Sequence, residues 1–113
     1  MFKRNNRLSK DRDIQKAIKS GRVFFNPNLN LKFLPQVSKS SKFTVVVGTK
    51  VAKKAVARNR IKRISREEIK KHINTLPSGD YIVFVKPSAV KTTEEIFLES
   101  LKKTLNQAKN LHK

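Results

Sequence analysis

The chain has 113 residues, which is enough for one domain with a single core of modest size and too few for two. Its 27 Lys and Arg outnumber 8 Asp and Glu, and the formal charge of +19 indicates a polyanionic partner. The absence of cysteine excludes disulfides, thiolate catalysis and cysteine-based zinc sites, while the lack of a long apolar run or a signal-peptide core predicts a cytoplasmic protein without a membrane span.

The N-terminal segment predicts one short helix. Ser9 is a suitable N-cap residue, and Ile14, Ala17 and Ile18 form an apolar stripe at helical spacing. Gly21 interrupts the pattern, so we expect the helix to end there.

Four β-rich runs predict the strands of a sheet. The apolar segment 23–25 and the alternating segment 29–33 are separated by Asn and Pro, which indicates two antiparallel strands. Residues 43–47 form a third run after a polar loop. Residues 81–85 are apolar at every position, as expected for a strand that is covered on both faces.

Two longer helices complete the pattern. No Gly or Pro occurs from 52 to 73, and good helix formers dominate there, so this segment predicts a long helix. Thr92 and Glu95 have the spacing of a capping box, and a last helix follows with five apolar residues in one stripe: Phe97, Leu98, Leu101, Leu105 and Ala108.

The order of these elements predicts the fold class. We expect one α/β (α+β) domain over residues 1–113, with flexible ends at 1–8 and 110–113. The architecture would be a two-layer sandwich in which three helices pack on a mixed sheet of about four strands.

The positive charge is concentrated in the middle of the chain. Residues 14–66 contain 14 basic residues and no carboxylate, so ion pairs within this segment cannot neutralise it. We therefore expect the isolated protein to be marginally stable and to gain stability from bound anions.

Within this segment, positive charge is densest on one face of the predicted long helix. On a helical wheel Ala57, Ile61 and Ile64 share one side, which we expect to pack. A solubilising helix usually interleaves Glu with Lys, so the lack of acids before Glu67 favours phosphate binding over a merely solvated face. The opposite side of the wheel carries Asn59, Arg60, Arg63, Arg66 and Lys70.

The segment 53–63, KKAVARNRIKR, resembles the signature helix of the bacterial ribonuclease P protein subunit. Arg7 and Leu8 before a short helix, the DYIVFVKP stretch at 80–87, the closing amphipathic helix and the total length are also similar to that family. The resemblance therefore covers nearly the whole chain.

This resemblance implies a fold and a function. The fold would be like the second domain of ribosomal protein S5, with a left-handed βαβ crossover that departs from the usual right-handed rule. The chain would be the non-catalytic protein subunit of an endoribonuclease, a monomer bound 1:1 to a catalytic RNA, and the complex would remove the 5′ leader from precursor tRNA. The RNA would carry the chemistry with Mg²⁺, and the protein itself would bind no cofactor.

The resemblance also implies which side chains contact RNA. The catalytic RNA would be bound by Lys53, Lys54, Arg58, Asn59, Arg60, Lys62, Arg63 and Arg66. The leader would lie in a cleft between the first helix and the sheet, where the contacts to leader and tRNA would be Arg7, Ile14, Ile18, Phe33, Phe43 and Lys50. Ile14 and Ile18 stand where the family usually has Phe, so base stacking is lost there. Phe33 and Phe43 are candidates to replace it, although lone aromatic residues in strands are normally packed in a core, which is the favoured explanation for either one.

Nuclease chemistry by the protein itself is poorly supported by the sequence. A metal-dependent nuclease needs converging carboxylates, whereas the acidic pairs here fit helix starts or divergent helical positions: Asp11 with Asp13, Glu67 with Glu68, and Glu94 with Glu95. The two histidines, His72 and His112, are both expected at the surface, so no positioned pair is predicted.

Two other classes of binding protein compete with this interpretation. A ribosomal protein that binds rRNA is equally small and basic, and only the RNRIKR segment at 58–63 argues against it. A nucleoid DNA-binding protein is weaker because no helix-turn-helix or zinc-finger spacing occurs. A membrane-active cationic peptide is excluded because no single segment has a dominant amphipathic face.

Overall fold

A computed structural model describes residues 7–36 and 41–110, and it confirms the predicted three helices and four-stranded mixed sheet. The helices are α1 (Asp11–Ser20), α2 (Ala55–His72) and α3 (Glu94–Asn110), and a short 3₁₀ helix, Pro87–Lys91, precedes α3. The strands are β1 (Arg22–Phe25), β2 (Leu29–Pro35), β3 (Lys42–Val46) and β4 (Gly79–Val85). None of the described helices is both long and apolar enough to cross a membrane.

The sheet has the strand order β1-β2-β4-β3. The β1–β2 and β2–β4 pairs are antiparallel, whereas β3 and β4 are parallel. Parallel neighbours need a crossover connection, and α2 lies in that connection between β3 and β4. The basic helix α2 therefore belongs to a βαβ unit, as the family resemblance implies. The left-handedness of this crossover stays a prediction.

The main core lies between the sheet and the layer formed by α2 and α3. Three rings from neighbouring strands stack at its centre, because Phe33, Tyr81 and Phe43 occupy aligned positions in β2, β4 and β3. Tyr81 lies between the other two, with ring centroids 4.5 Å from Phe33 and 4.6 Å from Phe43. Burial raises the pKa of the Tyr81 hydroxyl, which donates a hydrogen bond to the Pro77 carbonyl.

The burial of Phe33 and Phe43 corrects one expectation about the leader cleft. Their side chains are only 0% and 2% exposed, so the prediction that they provide aromatic surface for RNA is wrong. The reason is the strand alternation: Leu29, Leu31 and Phe33 point to the same side of β2, and that side faces α3 rather than α1.

Helix α1 covers part of the opposite face of the sheet. Leu8, Ala17 and Ile82 are buried there, and Ile14 and Ile18 pack partly buried against them. Lys32 on β2 donates from Nζ to the Ile18 carbonyl at 2.5 Å, which ties the C-terminal part of α1 to the sheet. Strand β4 is thus covered on both faces, as its continuous apolar sequence predicts.

The ends of the elements differ from the predictions by one to three residues. The structure places the N-cap of α1 at Lys10, not Ser9, and no side chain caps it. Thr93, not Thr92, caps α3, because Thr92 is still extended after the 3₁₀ helix and Thr93 Oγ1 accepts the Ile96 amide hydrogen at 3.2 Å. Helix α2 starts at Ala55 instead of 52, since residues 48–52 form a turn.

The predicted flexible ends are residues 1–8 and 110–113. Residues 1–6 and 111–113 lie outside the described residues. Leu8, however, is buried, and its amide donates to the Phe43 carbonyl at 2.9 Å beside β3. Residues 7 and 8 therefore join the edge of the sheet, and the flexibility of the two ends stays a prediction.

Candidate nucleic-acid interface

The outer side of α2 and the turn before it carry exposed basic residues. Ile61, Ile64 and Ile69 turn the other side of the helix towards the core, as the helical wheel predicts. Ala57 departs from the prediction because it lies exposed in the first turn of α2. We call five exposed residues the basic face: Lys53, Lys54, Asn59, Arg60 and Arg63. Two other predicted contacts, Lys62 and Arg66, are partly buried.

Arg58 stabilises the turn that precedes α2. Its Nη1 atom donates to the carbonyls of Ala52 at 2.9 Å and Lys53 at 2.7 Å. These bonds fold the turn that carries Lys53 and Lys54 back onto the first turn of α2. The guanidinium thereby helps to place two lysines of the basic face, a role that the sequence pattern did not indicate.

Arg60 forms an ion pair with Glu94 at the start of α3. Its Nε lies 2.5 Å from Glu94 Oε2 and its Nη2 lies 3.0 Å from Oε1, so both carboxylate oxygens accept a hydrogen bond. The hydrogen bond to Glu94 raises the pKa of Arg60, and the hydrogen bond from Arg60 holds the pKa of Glu94 below its ordinary value. This pair joins residues 34 positions apart, so no local sequence signal predicts it.

An open groove lies directly beneath this ion pair, between α2 and the start of α3. Its volume is about 240 Å³. Aliphatic and aromatic side chains form most of its lining, while Arg60, Thr92 and Glu94 contribute the polar atoms. The apolar members of the lining are Ala57, Ile61, Ile64, Ala89, Val90 and Phe97.

Arg66 connects the basic face with the N-terminal segment. Burial, and secondly the nearby charge of Arg7, lower the pKa of the Arg66 guanidinium. Arg7 itself is exposed and forms an isolated parallel bridge with Phe43 on β3. Two cations that the sequence assigned to different RNA contacts therefore lie close together.

Helix α1 covers only part of the sheet face that lies opposite the main core. The uncovered part of this face carries a row of side chains that crosses all four strands. The strand register aligns Phe25 with Asn30, Asn30 with Phe84, and Phe84 with Val46. Phe25 is 72% exposed and Val46 is 41% exposed, while Phe84 is half-buried beside Ile14 and Ile18. We call Phe25, Asn30, Phe84 and Val46 the sheet row.

Sequence analysis missed the sheet row, although strand alternation contains the signal. Val46 and Phe84 necessarily point away from the neighbours that fill the main core. The Oδ1 atom of Asn30 is buried and has no hydrogen-bond partner, which leaves an acceptor within the row.

Lys50, also predicted to contact the leader, is exposed in the turn after β3.

The described acidic residues have other partners or positions. Asp11 and Asp13 lie in the first turn of α1, where the helix dipole favours them. Glu68 is buried and contacts His72 Nε2 at 2.8 Å. Within residues 7–36 and 41–110, no three His, Asp or Glu side chains are grouped so that they could hold a metal ion. His112 lies outside the described residues.

Comparisons with known proteins point to one family. The family model described as Ribonuclease P matches residues 2–109. A ribonuclease P protein component of Microcystis aeruginosa is 32% identical over 111 residues, covering 94% of this chain and 92% of that protein.

Solved structures of the RNase P protein from Staphylococcus aureus have a similar fold. The RNase P protein superposes with a TM-score of 0.84 at 28% identity, covering 91% of this chain and 94% of that one. An RNase P protein mutant from the same organism, described as having defective mRNA degradation activity, also gives 0.84 at 28% identity, with 92% and 88% covered.

Proposed function

Because the chain belongs to the Ribonuclease P protein family, we propose that it is the protein subunit of a cytoplasmic ribonucleoprotein that removes the 5′ leader from precursor tRNA. The observation that carries this proposal is the basic face, which presents two Lys, two Arg and one Asn outward along one side of α2 and its preceding turn. Guanidinium groups keep their charge and match two phosphate oxygens at once. The protein acts as a monomer and binds one catalytic RNA through this face.

The physical contribution of the basic face is phosphate neutralisation. Each Lys or Arg that replaces counterions at the RNA backbone adds affinity that depends on salt. If about five to eight phosphates are contacted, log K falls with log salt at a slope of roughly −4 to −7. Neutralisation also lets the negatively charged RNA segments approach one another with less repulsion, so that the phosphates that bind Mg²⁺ come together and the affinity of the complex for metal ions rises.

The sheet row is the proposed contact for the 5′ leader. Phe84 offers a ring next to the apolar side chains of Ile14 and Ile18, and bases of every type stack on such a ring. Because mature tRNA lacks the leader, this contact favours precursor over product. The row replaces Phe33 and Phe43, which lie in the core.

The chemistry of cleavage is assigned to the RNA subunit. The RNA would hold Mg²⁺, which when bound would supply the activation of water and the stabilisation of the leaving 3′ oxygen. In the protein, Glu94 is engaged by Arg60, and Glu68 is engaged by His72. The side chains of the protein therefore supply binding and orientation, and no step of bond cleavage is assigned to them.

Reconstitution of precursor-tRNA cleavage tests the proposal. The ribonuclease P RNA is assayed with and without the protein at a low Mg²⁺ concentration that barely supports the RNA alone. We expect the protein to restore cleavage and to lower KM for precursor more than it strengthens binding of mature tRNA. Equal cleavage with and without the protein would refute the proposal.

Two further controls separate this proposal from its rivals. Cleavage by the protein without RNA would instead indicate an intrinsic nuclease. Selective recovery of ribosomal RNA in a pull-down would favour a ribosomal protein. The expected pull-down partner is the ribonuclease P RNA.

A further inference from the structure

Glu94 is the acidic residue that contacts the basic face in the described part of the chain. Both of its oxygens engage Arg60, at 2.5 Å and 3.0 Å, and Arg63 is close enough to lower the pKa of the same carboxyl group. The middle of the chain, residues 14–66, has 14 basic residues and no carboxylate of its own. The fold therefore brings one negative charge from α3 to a surface that the sequence leaves entirely positive.

The geometry of the pair leaves Arg60 able to bind phosphate. A guanidinium has five N–H donors, and Glu94 engages the edge formed by Nε and Nη2. The edge formed by Nη1 and the second Nη2 hydrogen stays available, and it has the same fork shape. Glu94 thus orients the Arg60 guanidinium and leaves the donors of its Nη1/Nη2 edge free to bind a phosphate.

The surroundings of the pair restrict the approach of RNA. Beside it lies the mainly apolar groove, whose lining includes Ile64 and Phe97 and whose donors are Arg60 itself and the Thr92 hydroxyl. A phosphate that comes from the groove side meets the Glu94 carboxylate, which repels it. A phosphate that comes from the opposite side enters a shallow pocket lined by Asn59, Arg60 and Arg63, where it meets positive charge.

We propose that Glu94 is a specificity-determining residue that positions Arg60 and rejects RNA whose phosphates are wrongly placed. A protein with a charge of +19 attracts every RNA, so discrimination needs a repulsive element as well as an attractive one. Glu94 lowers the affinity for all RNA by its charge, and cognate RNA recovers the loss through the oriented guanidinium. This inference rests on the proposed function, in which the basic face binds the catalytic RNA.

The test compares Glu94→Gln with Glu95→Gln. Both residues are exposed, both lie in the first turn of α3, and both substitutions remove one negative charge, but only Glu94 contacts Arg60. Dissociation constants are measured at matched salt for the ribonuclease P RNA and for an unrelated folded RNA of equal length. The readout is the ratio of the two constants, and the melting temperature of each variant verifies folding.

Glu94→Gln should lower the preference for the ribonuclease P RNA about two- to fivefold, the range expected for an exposed ion pair. Glu95→Gln should strengthen binding of both RNAs alike and leave the ratio unchanged. In an Arg60→Ala background, Glu94→Gln should change the ratio less, because the residue that Glu94 positions is gone and only the repulsion by its charge remains. Glu94→Asp should keep part of the preference.

The outcomes distinguish the two proposals. If the wild-type protein has no preference for the ribonuclease P RNA, the proposed function fails. If that preference exists but Glu94→Gln and Glu95→Gln give the same ratio, only the role of Glu94 is refuted. A selective gain of affinity for the ribonuclease P RNA in Glu94→Gln would also refute it, because Glu94 would then block Arg60 rather than position it.

Discussion

Replacement of Arg63 by Ala should weaken RNA binding in a manner that depends on salt. Arg63 is exposed in the middle of the basic face, and among the described ion pairs none involves it. Its positive charge is therefore available to a phosphate. Loss of one phosphate contact should make the slope of log K against log salt shallower by about 0.9.

The slope converts into a measurable ratio. From 50 to 200 mM salt, a change of about 0.9 in slope alters the ratio of wild-type to variant affinity by roughly 3.5-fold. We therefore expect Arg63→Ala to lose several times more affinity at the lower salt concentration than at the higher one. A filter-binding or fluorescence titration with the ribonuclease P RNA over a salt series measures both slopes.

A matched control is available on α3. Lys103 is exposed there, and Lys103→Ala removes the same charge from a residue outside the basic face. The control should leave the slope within error of the wild-type value. An unchanged slope in Arg63→Ala, or an equal change in Lys103→Ala, would show that net charge and not the basic face determines binding.

Three further predictions concern the sheet row, the core and anions. Phe84→Ala should weaken precursor-tRNA binding by about 1–3 kcal/mol, as expected for one stacked base, and should leave mature-tRNA binding unchanged in the same titration. Phe33→Ala should lower the free energy of unfolding by about 3–5 kcal/mol in urea denaturation, because it removes one ring of the buried stack. Sulfate at about 100 times its Kd should stabilise the fold by about 2.7 kcal/mol, which thermal melts measure, whereas no shift would contradict an anion site.

The elements of the fold could be predicted from the sequence because each has a local signal. The stripe of α1, the alternation of β2 and the unbroken apolar run of β4 are periodic patterns that depend on neighbours within a few residues. Element ends were less accurate. The true cap of α3 is Thr93, one residue beyond the predicted Thr92, since both are threonines and only the backbone conformation decides between them.

The candidate site was predicted in outline and not in its contacts. The outward direction of Arg60 and Arg63 follows from helical spacing and is confirmed. Alternation could group Phe33 with its neighbours on β2, but it could not say whether that face meets α3 or a cleft. The Arg60–Glu94 pair depends on how α2 packs against α3, which no local pattern encodes.

Tethered cleavage of RNA tests most directly whether the outer side of α2 holds the RNA backbone. The chain has no cysteine, so Val56→Cys creates a unique thiol at a side chain that is 81% exposed and lies beside Asn59, Arg60 and Arg63. With a hydroxyl-radical source attached to this thiol, the account predicts strand cleavage in one confined region of the bound ribonuclease P RNA, and no cleavage of that region from a source on Lys103→Cys. Absent or uniformly spread cleavage from Val56→Cys in a complex that still forms would contradict it.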